Sequence, residues 1–432
     1  MSNEKLTKKS VVELQITALG GQADGVARLA DGQVVLIAGA VPGDRLRVAL
    51  RGALRGVMRG EITKILLPSP QRVQPTCPVF DACGGCSWQQ IDLALQRSEK
   101  ALLTTRALGK SACQLQIVGE IPAWQHRRRV RLHLRHHVGG MAVGMMGRAS
   151  ERVVDTRQCP VLVAELEALL PRIAAAATPW LDRGELHAVS GVEGVIADLH
   201  AVVRAGEALP TAESLRQMLD IVGLSLAASA ISSHAGRLEV TLPETVGPLP
   251  ITVDARGFCQ ATSLGNAAIR HAVSTALAAA GPVARLQEFF AGSGNLSGLL
   301  DGIAPQIRTI ESDFPATLRA QHTLTHARLS QFTVLHGDAT DLAETPVANE
   351  LWLLDPGRPG AKELMDKIAQ LARNDAAPQQ IIYVSCALDT LARDLRSLQA
   401  AGYTQHSAVM IDTYPHTPHV EVVVHLRLSS AA

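Results

Sequence analysis

No apolar run in the 432 residues approaches the roughly 18 needed to cross a bilayer, which argues against a membrane-spanning helix. The opening Met1-Ser-Asn-Glu-Lys-Leu-Thr-Lys-Lys lacks the hydrophobic stretch of a secretory signal, so a cytoplasmic location is expected. A disulfide framework is missing too: the seven cysteines are odd in number and three crowd together. In a reducing compartment such clustering points to metal or catalysis. Internal repeats and low-complexity tracts are absent. Net charge of one sign is also absent, the balance being +1. With 47% hydrophobic and 19% charged residues, the chain reads as globular. Its length predicts two or three domains.

The near-neutral total hides local concentrations. Arg45, Arg47, Arg51, Arg55 and Arg59 recur in one stretch bordered by Asp44 and Glu61. A second runs from His126 through Arg127, Arg128, Arg129, Arg131, His133 and Arg135 to His137. Phosphate binding needs local rather than global positive charge. Each cluster alone reads equally well as a solvated strand or helix face, but two of them favour a nucleic-acid partner.

Short β-type runs separated by Gly20-Gly21, Asp31-Gly32 and Pro42-Gly-Asp44 predict a small β-barrel over residues 10–68, ending in the linker Leu66-Leu-Pro-Ser-Pro70. Residues 69–255 read as a mixed α+β region with helical segments near 161–178 and 211–222. From 256 to 432, apolar runs at 285–290, 306–311, 332–336, 350–355 and 380–385 alternate with helical stretches. That alternation is the mark of βαβ units around a mainly parallel sheet.

Three features carry chemistry. The spacing Cys77-x5-Cys83-x2-Cys86, with Cys159-Pro160 as a detached fourth, allows thiolates to converge on zinc or on an iron–sulfur cluster. Three clustered cysteines plus a distant Cys-Pro favour 4Fe–4S, whereas Cys113 and Cys259 suit small buried side chains. Next, Leu286-Gln-Glu-Phe-Phe290-Ala-Gly292-Ser-Gly294-Asn295 is a strand running into a glycine-rich turn. Glu311, Asp338 and Asp355 end successive apolar runs after it. Acids at successive strand ends suit S-adenosylmethionine, which offers hydroxyls and a sulfonium but no phosphate. Finally, Ile381-Ile-Tyr-Val-Ser-Cys386 delivers a thiol at a strand tip, and Pro415-His-Thr-Pro-His-Val-Glu421 places a carboxylate where a strand begins. A thiol and a general base together suit covalent attack on an electrophilic ring carbon.

These residues together resemble the RNA uracil-5-methyltransferase family, and most closely its TRAM-domain, iron–sulfur-containing 23S rRNA enzymes. The resemblance rests on Gly292-Ser-Gly294-Asn295, Asp355-Pro356-x-Arg358-x-Gly360, Tyr383-Val-Ser-Cys386 with Thr390-Leu-Ala-Arg-Asp-Leu395, and Pro415-His-Thr-x-His-Val-Glu421. Phe258-Cys-Gln260 is similar to the segment that opens the family's catalytic domain. Gly25-Val-Ala-Arg28 and Pro42-Gly-Asp44 look like its TRAM barrel. The resemblance implies an OB-like TRAM barrel, a central α+β domain with a 4Fe–4S cluster on Cys77, Cys83, Cys86 and Cys159, and a C-terminal Rossmann-like class I methyltransferase domain. It implies Cys386 as nucleophile toward uracil C6 and Glu421 as the base that removes the C5 proton. Gln260, Phe290, Asn295, Glu311, Asp338 and Asp355 would line the S-adenosylmethionine pocket, and Phe258 would stack on a flipped uracil. Taken singly, Phe290 also reads as core, Asn295 as a helix cap and Asp338 as a turn former.

The chain departs from the family pattern at Ala387-Leu388 (usually Asn-Pro), at Gly357, and at Thr262 where Asn is expected. The implied partner is RNA, with 23S rRNA ahead of tRNA. A cytosine C5-methyltransferase would call for a second catalytic cysteine and leave Glu421 without a use. A non-catalytic RNA-binding paralogue would not need Cys386 and Glu421 together.

Overall fold

The structure is a computed structural model describing residues 10–429, apart from 22, 55–56, 110–112 and 120. The chain parts into two units. One comprises Met1–Thr104 with Tyr414–His419, the other Thr105–Thr413 with Val420–Ala432. This differs from a three-block division at 68 and 255. The boundary falls inside helix α1 (Leu93–Leu108), and a late six-residue excursion returns to the first unit. Composition along the chain does not register either event, because both depend on partners distant in sequence.

In the first unit, β1 (Val11–Gln15), β2 (Ala18–Leu19), β3 (Gly25–Arg28), β4 (Val34–Ile37), β5 (Arg45–Leu54) and β6 (Val57–Leu67) form one sheet. Its order is β1-β5-β6-β4-β3-β2, with β4 and β6 parallel and the other neighbours antiparallel. Leu46, Val48 and Leu50 enter the core with Ile16, Val35 and Ile37. Period-2 alternation therefore turns Arg45 and Arg47 outward. Both pair with Glu13, while Arg51 pairs with Glu61 and Arg59 with Asp24. The first basic stretch is thus partly neutralised from neighbouring strands. Its Arg55 lies outside the described residues.

The Pro42-Gly-Asp44 turn is fixed by its acid. The fully buried Asp44 carboxylate accepts from the backbone N–H groups of Val41 (2.8 Å) and Ser69 (2.9 Å) and pairs with Arg72 (2.5 Å). In the same unit the carbonyl of His416 accepts from the N–H groups of Ser87 and Trp88, each at 2.9 Å. Gln96 accepts the His416 N–H (2.8 Å), and Lys100 Nζ donates to the Tyr414 carbonyl (2.9 Å). The excursion 414–419 is anchored there by backbone hydrogen bonds.

In the second unit, β7 (Leu115–Val118) belongs to the last sheet of the chain. A six-stranded sheet follows, built from β8 (Arg129–His137), β9 (Gly140–Gly144), β10 (Leu181–Gly191), β11 (Gly194–Val203), β12 (Gly223–Ala228) and β13 (Ile231–Gly236), in the order β13-β12-β11-β10-β8-β9. Helices α2 (Ala164–Ala177) and α3 (Ala212–Leu219) pack Leu166, Leu170 and Leu215 against Leu132, Leu186 and Leu199. Each such fully buried aliphatic side chain contributes about 1.5–3 kcal/mol. The second basic stretch divides across this sheet. Val130, Leu132 and Leu134 are buried, Arg131 and Arg135 are exposed, and Arg131 pairs with Glu185. Arg128, ahead of the strand, is 2% exposed. It is therefore part of the interior and not of a phosphate-binding surface.

A short ladder, β14 (Glu239–Thr241) with β15 (Thr252–Asp254), leads to α4 (Ser263–Ala280) and the final region. There β16 (Arg285–Phe289), β17 (Ile307–Glu311), α5 (Phe314–His326), β18 (Phe332–His336), α6 (Ala339–Leu342), β19 (Glu350–Leu354), α7 (Lys362–Arg373), β20 (Gln380–Ser385), α8 (Leu388–Ala400), β21 (Tyr403–Ile411) and β22 (Glu421–Leu428) follow in turn. The sheet runs β18-β17-β16-β19-β20-β22-β21-β7. Strands β16 to β20 are mutually parallel, and β22 is antiparallel to both β20 and β21. No helix among the described residues is long and apolar enough to cross a membrane.

Asp44→Ala should leave Arg72, 18% exposed, without its partner and two backbone N–H groups without an acceptor. We expect a loss of about 3–5 kcal/mol, read as a lowered thermal midpoint for the first unit.

Candidate active site

Cys386 directly follows β20, and Glu421 opens β22. The antiparallel register sets Ser385 opposite Val422, so the next position on each strand brings thiol and carboxylate to adjoining ends. Glu421 is buried and Cys386 is half-buried. Burial pushes the Cys386 thiol up to about 12. The carboxylates of Glu421 and Asp355 act in the same direction, and Arg358 opposes them. At neutral pH the thiol is therefore held protonated beside the Glu421 and Asp355 side chains.

The residues around Cys386 explain how Ala387-Leu388 is accommodated. Ser385 Oγ accepts from the Ala387 N–H (3.3 Å) and Thr390 Oγ1 donates to the Arg358 carbonyl (3.0 Å). Tyr383, fully buried, donates to Asp394 (2.7 Å), which also accepts the Ala361 N–H (2.8 Å). The turn after Cys386 is thereby tied to the Asp355–Gly360 loop without a side-chain cap on α8.

After β16 the backbone enters the left-handed region at Phe290 (φ +62°), Gly292 (φ +57°) and Gly294 (φ +88°). For Phe290 this costs about 1–3 kcal/mol, a strain typical of ligand-binding turns. Glu311, at the end of β17, steadies the turn by accepting the Gly292 N–H (2.8 Å), and it also accepts the Asp313 N–H (2.6 Å).

Phe258, Gln260, Phe290, Asn295 and Asp355 line one pocket together with Leu242 and Ile251. Phe258 is 66% exposed, a ring available for stacking, while Gln260 is buried. Asp355 joins this pocket to Cys386 through its charge. Asn295 does not cap the short 3-10 turn Ser297–Leu299, whose cap position is Leu296. Its amide instead exchanges two hydrogen bonds with Asn266, at 2.8 and 2.9 Å. Thr262 caps α4, its side chain accepting the Gly265 N–H. Asp338 stands apart from the others: it is exposed and caps α6, accepting the N–H groups of Thr340 (2.7 Å) and Asp341 (3.4 Å).

Two residues escaped the sequence reading. Glu288 is buried in β16, accepting from Ser297 Oγ (2.6 Å) and Thr309 Oγ1 (3.0 Å). Burial pushes its carboxyl up to about 7, and Asp355 and Glu311 reinforce the shift. Asp355 is likewise raised to about 7 by burial. The available signal for Glu288 was an acid inside an apolar run. Arg319, also buried, donates to Ser293 Oγ (3.1 Å) and pairs with Asp254 (2.7 Å); only the fold brings these together.

Cys77, Cys83 and Cys86 sit half-buried in turns of the first unit. The Gly85 N–H donates to Cys83 Sγ (3.3 Å), and the charge of Cys83 helps to raise the Cys77 thiol, after burial. Among the described residues no group of three or more His, Cys, Asp or Glu is placed to hold a metal ion.

A folded-state carboxyl raised to about 7 stabilises the fold fully below its unfolded value near 4.5, and that contribution is lost as pH rises through 7. Glu288→Gln mimics the protonated form. It should therefore unfold at a higher temperature than wild type at pH 8, with the difference shrinking at pH 5.

A TRAM domain profile matches residues 5–63, and the profile described as tRNA (Uracil-5-)-methyltransferase matches residues 322–429. The 23S rRNA (uracil(1939)-C(5))-methyltransferase RlmD of Enterobacter sp. (strain 638) is 32% identical over 99% of this chain and 99% of its own. The protein of the same name from Pectobacterium carotovorum subsp. carotovorum (strain PC1) is 30% identical over 97% and 95%. Among solved structures, the Pyrococcus abyssi tRNA (uracil-54, C5)-methyltransferase in complex with S-adenosyl-L-homocysteine superposes with a TM-score of 0.71. It is 21% identical and covers 96% of this chain and 100% of that one, a match of fold.

Proposed function

The chain belongs to the RNA uracil-5-methyltransferase family, and from that premise we propose that it methylates C5 of a uridine in 23S rRNA, using S-adenosylmethionine. The observation that carries the reading is the meeting of Cys386 and Glu421 across the antiparallel β20–β22 pair. The full-length likeness to enzymes named for 23S rRNA favours that substrate over tRNA.

S-adenosylmethionine, when bound, supplies the methyl group as an electrophile. Gln260, Phe290, Asn295, Glu311 and Asp355 would hold it, and Asp338, exposed at the cap of α6, would reach it only from outside the pocket wall. The Cys386 thiol first gives up its proton to a neighbouring carboxylate. Its sulfur then bonds to C6 of the uracil, and the C5–C6 double-bond electrons make C5 the nucleophile. Once C5 carries the methyl group, Glu421 takes the C5 proton. The electron pair left behind re-forms the double bond and expels Cys386 as thiolate. Phe258 stacks on the base, which must leave any paired helix before C6 is accessible. The raised thiol fits this order, since an attacking thiolate appears only when charges around it change.

The chemistry of the donor set, rather than its placement in the structure, supports a 4Fe–4S cluster: Cys77, Cys83 and Cys86 fall within one short glycine-containing segment, and Cys83 Sγ accepts an amide N–H as cluster sulfurs commonly do. These three would hold the cluster; the assignment of Cys159 as its fourth ligand rests on the family resemblance alone. Its role is structural, because Cys386 and Glu421 account for the methyl transfer.

With labelled S-adenosylmethionine and unmethylated 23S rRNA, the wild type should form 5-methyluridine and Cys386→Ala should form none. Glu421→Gln should accumulate a denaturation-resistant protein–RNA adduct, because C5 keeps its proton and elimination stalls. Transfer by Cys386→Ala, or transfer to tRNA alone, would refute the reading. Anaerobically purified Cys83→Ser should lose iron, acid-labile sulfide and visible absorbance together; retention of all three would remove the cluster assignment.

A further inference from the structure

One arginine of the second basic stretch faces the interior and holds the pocket wall. Arg128 Nε donates to the Gln260 carbonyl (3.0 Å), Nη1 donates to Ser263 Oγ (2.8 Å), and its backbone N–H donates to the Ala261 carbonyl (2.8 Å). Its Nη2 lies 2.6 Å from Glu244 Oε1, with both side chains 3% exposed. Glu244 belongs to the loop between β14 and β15, whose flanking residues Leu242 and Ile251 line the pocket.

A second buried arginine grips the same loop. Arg270 of α4 donates from Nε to the Val246 carbonyl (2.6 Å) and from Nη1 to the Asn295 carbonyl. A Cβ at Gly247 would stand 2.2 Å from Arg270 Nη2 and would have to displace the guanidinium, and its φ of +91° also favours glycine. Burial lowers the Arg270 pKa, and the Glu244 carboxylate counteracts it. One carboxylate thus serves two guanidiniums, and those guanidiniums hold the backbones of Gln260 and Asn295, both pocket-lining residues.

Burying such a pair is costly, and well-packed apolar replacements are often neutral or stabilising. Stability alone therefore gives little reason for it. We propose that Glu244, with Arg128 and Arg270, are positioning residues that set the Gln260 and Asn295 walls and the 242–251 loop for S-adenosylmethionine. The inference rests on the methyltransferase reading above and adds residues that touch neither the methyl group nor the uracil.

The test uses the full-length protein, titrated calorimetrically with S-adenosylmethionine in the absence of RNA, beside an RNA-binding titration and thermal melts. Two variants are compared, Glu244→Gln and the apolar double Arg128→Met/Glu244→Leu, the second chosen to keep the fold if the first does not. Both should weaken S-adenosylmethionine about ten-fold and raise its KM to match, with kcat at saturation and RNA affinity within about two-fold of wild type. Unchanged S-adenosylmethionine affinity in the folded double variant would overturn the proposal. So would a parallel loss of RNA affinity and melting temperature, which marks a purely structural role. If wild type itself failed to bind S-adenosylmethionine, the methyltransferase reading would fall and the positioning role with it.

Discussion

The site depends on one strand direction. In a sheet of parallel strands, every carboxyl end lies at the same edge and every amino end at the other. Cys386 follows the end of β20, while Glu421 is the first residue of β22. They meet only because β22 is antiparallel to β20, with Ser385 opposite Val422. A one-residue slip would turn every side chain of β22 to its other face and carry Glu421 away. Both faces of β22 are buried from Glu421 to Leu426, so its polar residues distinguish the registers: His425 Nε2 meets Gln380 Oε1 (2.9 Å), a buried hydrogen bond the slip would break.

Charge placement follows from the same edge. Glu288, Asp355, Glu311 and Glu421 gather around the strand ends, and burial raises the Glu288 and Asp355 carboxyls to about 7. Such a cluster is poised to receive a cation, since a positive neighbour lowers the carboxyl pKa values that burial has raised. The strained Phe290 and the left-handed Gly292 and Gly294 shape the turn beside these acids.

Much of this was legible in the chain. The runs from 285 to 385 became β16 to β20 because a buried parallel strand needs a continuous apolar stretch, which leaves a visible trace. Five of the nine residues proposed for chemistry, cofactor or base line one pocket, since each stood just beyond such a run or in the Phe258-Cys-Gln260 segment. What stayed hidden depended on distant partners. Leu115–Val118 is too short to announce that it pairs with β21, and Arg128 looks like its neighbours until Glu244 is seen against it. Asn295 read as a possible helix cap, whereas Asn266 on α4 occupies its amide. Asp338 shows the opposite case, where the local reading as a turn former describes its hydrogen bonds.

The central claim is that carbon 5 of a uridine loses its proton at a site built from Cys386 and Glu421. Its most direct measurement is tritium release from 23S rRNA labelled at uridine C5, counted beside methyl incorporation from S-adenosylmethionine. The account predicts one tritium released per methyl group transferred, with both lost in Cys386→Ala. Methyl incorporation with tritium retained in the RNA would contradict it, because the methyl group would then lie on another atom.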